Sequence, residues 1–192
     1  MIAMETERRF LSLLGEYLVS LPFDLKALQE AVADDNLERA AREVAAGAIV
    51  HTLMPQEGEG PLRYADDVLF VRAALHEVAA RGGEGTAAFR DRFREIYDRL
   101  DEDLALIDAA LGETWQWLRG KVESFARLSY KGKRAASYVD DDESQSLLYE
   151  EGLEFQTNYN VTEEQVKNRL RRADQVVELL AKRRADEAKK KA

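Results

Sequence analysis

Apolar residues recur every three or four positions through most of this chain, and this spacing constrains the fold more than any other feature. The stripe is longest after Thr86, where it comprises Phe89, Phe93, Ile96, Tyr97, Leu100, Leu104, Ile107 and Leu111. A period of three to four residues places these side chains on one face of an α-helix. Only three prolines interrupt the 192 residues. We therefore predict an all-α protein, a helical bundle of about six helices.

The periodicity divides the chain into three predicted parts. Residues 1–130 carry the regular stripes and are predicted to form the bundle, with Pro22 ending the first helix. The stripes fade over residues 131–161, where Leu153, Phe155, Thr157 and Tyr159 alternate with polar residues. Alternation is typical of a β-strand, and a single strand is not stable alone, so this segment is predicted to be a partly ordered linker. Residues 162–192 are predicted to form a C-terminal amphipathic helix that projects from the bundle or docks on it.

The C-terminal helix has a sharp predicted start and a coiled-coil-like seam. Thr162 and Gln165 have the spacing of a capping box. Intervals of four and three residues then separate the apolar residues Val166, Leu170, Ala173, Val177 and Leu180. Because these side chains gain free energy from burial, we expect them to be covered by a second copy, a different protein or the bundle itself. The seam, with Arg171 and Arg172, is the predicted partner-binding set.

Charge is distributed unevenly between the tail and the rest of the chain. The net charge is −9, from 28 Lys and Arg against 37 Asp and Glu. Residues 162–192 contain ten basic and six acidic residues, a net of +4, which leaves −13 on residues 1–161. An acidic protein is not expected to bind nucleic acid or anionic lipid broadly. Weak nucleic-acid binding through the basic C-terminal helix is nevertheless kept as an alternative function.

Composition also excludes several kinds of site. The chain has no cysteine, so disulfides, thiolate metal ligands and thiol nucleophiles are ruled out. Its first residues, MIAMETERRF, do not resemble a signal peptide, and no stretch reaches the roughly 18 apolar residues that span a membrane. We therefore expect a cytoplasmic protein without membrane insertion.

One stretch of the bundle contains the residues that could carry chemistry. It holds both histidines, His51 and His76, and the adjacent acids Asp66 and Asp67. Imidazole and carboxylate groups can bind zinc or act as a general base, provided that they converge. The histidines lie on different predicted helices, and acids at a helix start are favoured there as caps. The simpler interpretation is that Asp66 and Asp67 cap a helix and that no cofactor is bound.

In the same stretch, His51-Thr52-Leu53-Met54-Pro55-Gln56-Glu57 is followed by Tyr64-Ala65-Asp66-Asp67-Val68-Leu69. This pattern resembles the YkvA-like family, whose domains have no agreed activity. The family pairs a small-residue helix ending at a proline with an aromatic-x-Asp-Asp start to a second helix. The resemblance covers roughly residues 38–80 and implies a helical hairpin, with the two aspartates capping the second helix and holding the loop. Here the loop is polar and glycine-rich, whereas the family loop is apolar, and Glu57 stands where the family usually has aspartate.

No catalytic motif is present in the sequence. We therefore predict a non-enzymatic adaptor or scaffold that binds a protein partner or itself. The alternative is a metal-assisted or acid–base hydrolase using His51, Asp66, Asp67 and His76. The two hypotheses predict different arrangements of these residues, because only the hydrolase requires the four side chains to converge.

Overall fold

The longest element is a helix that runs straight through a proline. In this computed structural model, which describes residues 2–191 and the side chains of residues 4–190, α1 spans Ile2–Ala33 and contains Pro22. Proline has no N–H, so the carbonyl of Leu18, four residues earlier, lacks its helical donor. The hydroxyl of Tyr159 donates a hydrogen bond to that carbonyl. The prediction that Pro22 ends the first helix was wrong, because a distant side chain supplies the missing donor.

Nine α-helices and one small sheet make up the described part of the chain, so the all-α prediction is confirmed. After α1 come α2 Arg39–Leu53, α3 Ala65–Arg81, α4 Thr86–Arg92, α5 Arg94–Leu111, α6 Glu113–Val122, α7 Asp142–Asn158, α8 Glu163–Arg169 and α9 Ala173–Lys191. The bundle was predicted to have about six helices, with the C-terminal helix separate; the described chain has nine in all because the predicted helix after Thr86 and the C-terminal helix are each broken in two, and because α7 was not expected. None of the helices in this part of the chain is long and apolar enough to cross a membrane.

The core is built around α1, α2 and α3, which pack on one another. The small residues of α2 allow close approach: a Cβ atom on Gly47 would lie 2.7 Å from the backbone nitrogen of Ala126. Ala45 and Ala48 on the same helix are fully buried. Helix α5 packs on α1, and α6 packs on α3. The stripe predicted for residues 89–111 is buried throughout, although the helix breaks at Phe93.

The predicted linker is ordered and mostly helical. A hairpin of β1 Ser129–Tyr130 and β2 Lys133–Arg134 precedes α7, which packs on α1 and α2. The Asp141 side chain caps α7 by accepting a hydrogen bond from the Ser144 N–H at 2.8 Å. The strand predicted over residues 153–159 was therefore wrong. Helical caps and the burial of Leu148 outweigh the local alternation of polar and apolar residues.

The C-terminal segment docks on the bundle and does not project from it. The predicted capping box is present, since Thr162 and Gln165 each accept from the other's backbone N–H. The helix then breaks after Arg169, and α9 begins at Ala173. Helix α8 lies on α1, whereas α9 contacts α1, α3 and α6.

Candidate functional site

The two adjacent aspartates lie in the first turn of α3, as predicted, but they do not cap it. Tyr64 occupies the N-cap position, and no side chain makes a capping hydrogen bond there. Asp67 instead accepts a hydrogen bond from the Gln56 side chain at 3.1 Å, which holds the preceding loop. Asp66 pairs with Arg183 of α9. The capping prediction was wrong because each carboxylate has a stronger partner outside the helix end, although both still lie where the helix dipole favours acids.

Asp67 and His51 meet inside the bundle. His51 Nδ1 lies 3.2 Å from Asp67 Oδ1, a close polar contact without the alignment of a straight hydrogen bond. Asp67 is completely buried, and its Oδ2 atom has no hydrogen-bond partner among the described residues. Burial raises the pKa of the Asp67 carboxyl to about 6, although His51 opposes that shift. This pair can hold a proton, but Asp67 presents no surface to a substrate.

Aromatic rings fix the orientation of the His51 imidazole. It stacks on Phe125 with 4.2 Å between ring centroids and meets Phe70 edge-on at 4.8 Å. Phe70 and Phe125 are themselves core residues. The His51 ring is therefore part of the aromatic packing between α2, α3 and the turn after α6.

His76 does not join this cluster. It lies nine residues beyond Asp67 on α3, a separation of about 13 Å along the helix axis. Its Nδ1 atom is 3.6 Å from the Glu77 carboxylate. Among the described residues, no group of three or more acidic or histidine side chains has the geometry to hold a metal ion. Thus His51 and Asp67 converge, Asp66 turns to Arg183, and His76 lies apart.

The seam of the tail is covered mainly by the protein's own bundle. Val166, Ala173 and Leu180 are buried, as is Val176, which the heptad spacing did not include. The sequence left open whether a second copy, a different protein or the bundle covers the seam. In the structure, the bundle covers most of it. The rest of the predicted set stays at least partly accessible in this conformation, namely Leu170, Val177, Arg171 and Arg172.

Ion pairs join the last helix to the bundle. Arg183 pairs with Asp66, Lys121 of α6 pairs with Glu187, and Arg184 lies 3.7 Å from Glu113. These contacts match the opposite net charges of tail and bundle. They also place the tail over the start of α3, where Arg183 meets Asp66.

The predicted arginines of the tail face solvent. Arg171 and Arg172 are both exposed. Arg172 Nε donates to Asp174 Oδ1 at 3.0 Å, which holds its guanidinium near the start of α9. Leu170 and Val177 are partly buried beside them. The docked tail therefore presents an outer face that combines cationic and apolar groups.

A buried charged network was not predicted from the sequence. Asp24 of α1 accepts two hydrogen bonds of 2.9 Å from the guanidinium of Arg72 on α3. The guanidinium also lies over the ring of Tyr17, whose hydroxyl donates to Asp103 at 2.8 Å. Burial raises the pKa of Asp24 to about 6, against the opposing effect of Arg72. The sequence offered one indication of this network, because Asp24, Arg72 and Asp103 each interrupt the apolar stripe of a different helix.

Comparison with known proteins identifies no relative of this chain. No family model, no curated protein and no solved structure matches this chain. The YkvA-like relationship therefore remains a prediction that depends on the motif between residues 51 and 69.

Proposed function

We propose that this protein is a non-enzymatic adaptor or scaffold, and that the outer face of its docked tail contacts the partner. The docking itself carries the proposal. Ion pairs and buried seam residues hold α8 and α9 on the bundle, while Leu170, Val177 and Arg171 remain at least partly accessible. Fixing the tail in advance reduces the entropy that ordering it would cost on binding.

The chemistry of this face favours a protein partner with acidic groups. Arginine is enriched at protein interfaces because its planar guanidinium binds carboxylates in a defined geometry. Arg171 is exposed next to the partly buried Leu170, so an aliphatic contact and a charged contact are adjacent. The bundle of this same chain is acidic, which makes its own surface one suitable partner.

The proposal is tested by quantitative cross-linking in the host cell. Wild-type protein is compared with Arg171→Glu and Leu170→Asp variants, and Arg134→Glu on the hairpin serves as a matched charge reversal far from the tail. We expect a defined set of cross-linked proteins that both tail variants lose and the control retains. Equal recovery with all four proteins would contradict a role for this face.

The same experiment distinguishes the adaptor hypothesis from the hydrolase hypothesis. His51→Gln and Asp67→Asn change the buried pair without touching the outer face of the tail. If binding through the tail is the function, both variants retain the cross-linked partners. If His51 and Asp67 are essential while the tail variants are fully functional, the adaptor proposal is wrong.

A further inference from the structure

The ion pair that joins the last helix to α3 lies beside a buried pair of titratable side chains. Arg183 of α9 pairs with Asp66, and the next residue, Asp67, is the completely buried carboxylate that contacts His51. The Cα atoms of Asp66 and Asp67 are about 3.8 Å apart. Charges this close interact strongly where water is largely excluded, so the charge on the His51–Asp67 pair affects how firmly Arg183 is held.

The charge of the His51–Asp67 pair changes by one unit when it takes up a proton. Above neutral pH the carboxylate is ionised and the imidazole is uncharged, so the pair carries one negative charge. A single proton makes the pair neutral as a whole, whichever side chain holds it. The negative charge is poorly compensated, because Asp67 Oδ2 has no hydrogen-bond partner among the described residues. Proton uptake therefore relieves a cost of burial.

The charged and titratable groups around Asp67 come from four elements. They are His51 of α2, Asp66 of α3, Tyr159 at the end of α7 and Arg183 of α9. Tyr159 stays protonated, because burial raises the pKa of its hydroxyl. Asp66 disfavours the ionised form of Asp67, whereas His51 and Arg183 favour it. Of these groups, Arg183 is the one that moves away when α9 leaves the bundle.

The direction of the coupling follows from Arg183. Burial raises the pKa of Asp67 to about 6, and the guanidinium of Arg183 opposes that rise. Release of α9 removes this opposition, so the pKa is lower with the tail docked than with the tail released. The contacts of Asp67 with His51 and Gln56 involve α2 and the loop after it, so they do not depend on α9. Docking is therefore favoured by the ionised pair and weakens as the pH falls through about 6.

We infer that the His51–Asp67 pair is a pH-dependent switch for tail docking, in which proton uptake by the pair loosens α9 from the bundle. As a control of partner binding it rests on the proposed function, since the docked tail presents the proposed partner face. The loosening itself is a property of the protein alone. Unfolding of the whole chain responds in the opposite direction, because it exposes Asp67 to water and so favours its ionised form.

Hydrogen exchange of the purified full-length protein at about pH 7.5 and about pH 5 tests the inference. Exchange rates are divided by the intrinsic amide rate at each pH, so that the ratio reports opening alone. We expect α9 of the wild type to open about fivefold more at the lower pH, a typical coupling between two sites. Amides of α2 that exchange through global unfolding should open less there, which separates the switch from general destabilisation by acid.

Two kinds of variant identify the groups responsible. His51→Gln combined with Asp67→Asn removes both titratable groups and should abolish the pH dependence of α9, whereas Asp98→Asn on the exposed face of α5 should retain it. Arg183→Gln should open α9 to the same extent at both pH values, because the charge that responds to the pair is gone. Lys182→Gln, on its exposed neighbour, is the matched control. If the double variant does not fold by circular dichroism, Arg183→Gln still decides the question.

Equal or reduced opening of wild-type α9 at the lower pH overturns the inference. So does a wild-type response that persists in the double variant or in Arg183→Gln. Each of these results leaves the proposed function intact when cross-linking at neutral pH still captures a protein through the tail face. Conversely, a pH-dependent tail that captures no protein supports the switch and defeats the proposed function.

Discussion

At the scale of single residues, Asp67 shows the cost of placing a carboxylate in the core. Its side chain has no exposed surface, and among the residues that the structure describes only Gln56 donates a hydrogen bond to it. Burial disfavours the ionised form, which is why its pKa rises to about 6 from the ordinary 3.8. Folding therefore favours the protonated carboxyl.

This shift makes the stability contribution of Asp67 depend on pH. Because the folded pKa lies above the unfolded one, the free energy of unfolding falls as pH rises from about 4 to about 6, and above that the full penalty is on the order of 2–3 kcal/mol. Asp67→Asn removes the titration. We expect urea denaturation to show the variant gaining stability over the wild type across this window, with a constant difference above about pH 7.

The exposed Asp98 provides the control for that measurement. Asp98→Asn removes a carboxylate from the exposed outer face of α5, so it controls for the loss of one negative charge. Asp24 also has a raised pKa, so the wild-type curve contains its contribution, and only the difference between proteins isolates Asp67. Parallel curves for Asp67→Asn and the wild type would show that Asp67 does not titrate as we describe.

At the scale of elements, the continuity of α1 depends on a side chain from the far end of α7. Pro22 removes one helical donor, and the Tyr159 hydroxyl donates to the freed carbonyl of Leu18. The hydrogen bond also fixes the connection between α7 and the tail. Helix α1 and the start of the tail are therefore coupled through one carbonyl.

A double-mutant cycle tests that coupling. Tyr159→Phe should cost about 1 kcal/mol, the usual value of a lost hydrogen bond. Pro22→Ala should stabilise the helix by as much as about 3 kcal/mol. In the Pro22→Ala background the new amide at position 22 supplies the missing donor, so we expect Tyr159→Phe to cost clearly less. If the two changes in the free energy of unfolding are additive in chemical denaturation, the new amide at position 22 does not replace the Tyr159 hydroxyl as the donor to Leu18.

Two glycines in helices should respond to alanine in opposite directions. A Cβ atom on Gly47 of α2 would lie 2.7 Å from the backbone of Phe125 and Ala126, whereas one on Gly120 of α6 meets no atom within 4 Å. Gly47→Ala should therefore destabilise the protein by about 1–3 kcal/mol through overpacking. Gly120→Ala should stabilise it by about 0.5–1 kcal/mol, because alanine restricts the unfolded chain. Thermal unfolding measures both, and a shift of the same sign in the two variants would contradict the packing described for α2.

At the scale of the whole molecule, opposite charges join the tail to the bundle. Arg183 and Asp66 are largely shielded from water, so their contact is worth more than a fully exposed ion pair. Arg183→Glu should destabilise the docking of α9 by on the order of 1–2 kcal/mol, because it replaces attraction by repulsion. This corresponds to roughly a tenfold increase in local opening.

Hydrogen exchange measures that opening directly. We expect faster exchange in α9 for Arg183→Glu, with little change in α2 and α5. Lys182→Glu, on the exposed neighbour, has the same change of charge and serves as the control. The two variants should differ most at low ionic strength, where charges are least screened. Identical exchange in both would mean that the Arg183 contact does not hold the tail.

The sequence by itself predicts the elements that depend on neighbouring residues. The apolar stripe from Phe89 to Leu111 is buried as expected, because a helical period places residues three and four apart on one face regardless of what covers it. The capping box at Thr162 is also correct, since its two hydrogen bonds join residues three positions apart. The hydrolase alternative required His51, Asp66, Asp67 and His76 to converge, whereas only His51 and Asp67 come together, and the complete burial of Asp67 was not foreseen.

Only the tertiary structure decides the features that depend on residues distant in sequence. Tyr159 meets Leu18 across 141 positions, and Arg72 meets Asp24 across 48. These contacts keep α1 continuous through Pro22 and place a charged pair in the core. The helical state of α7 and the docking of the tail have the same origin, because free energy from burial against other helices outweighs the weak local preference of a short segment. Local spacing determines which residues share a face, whereas packing determines what that face contacts.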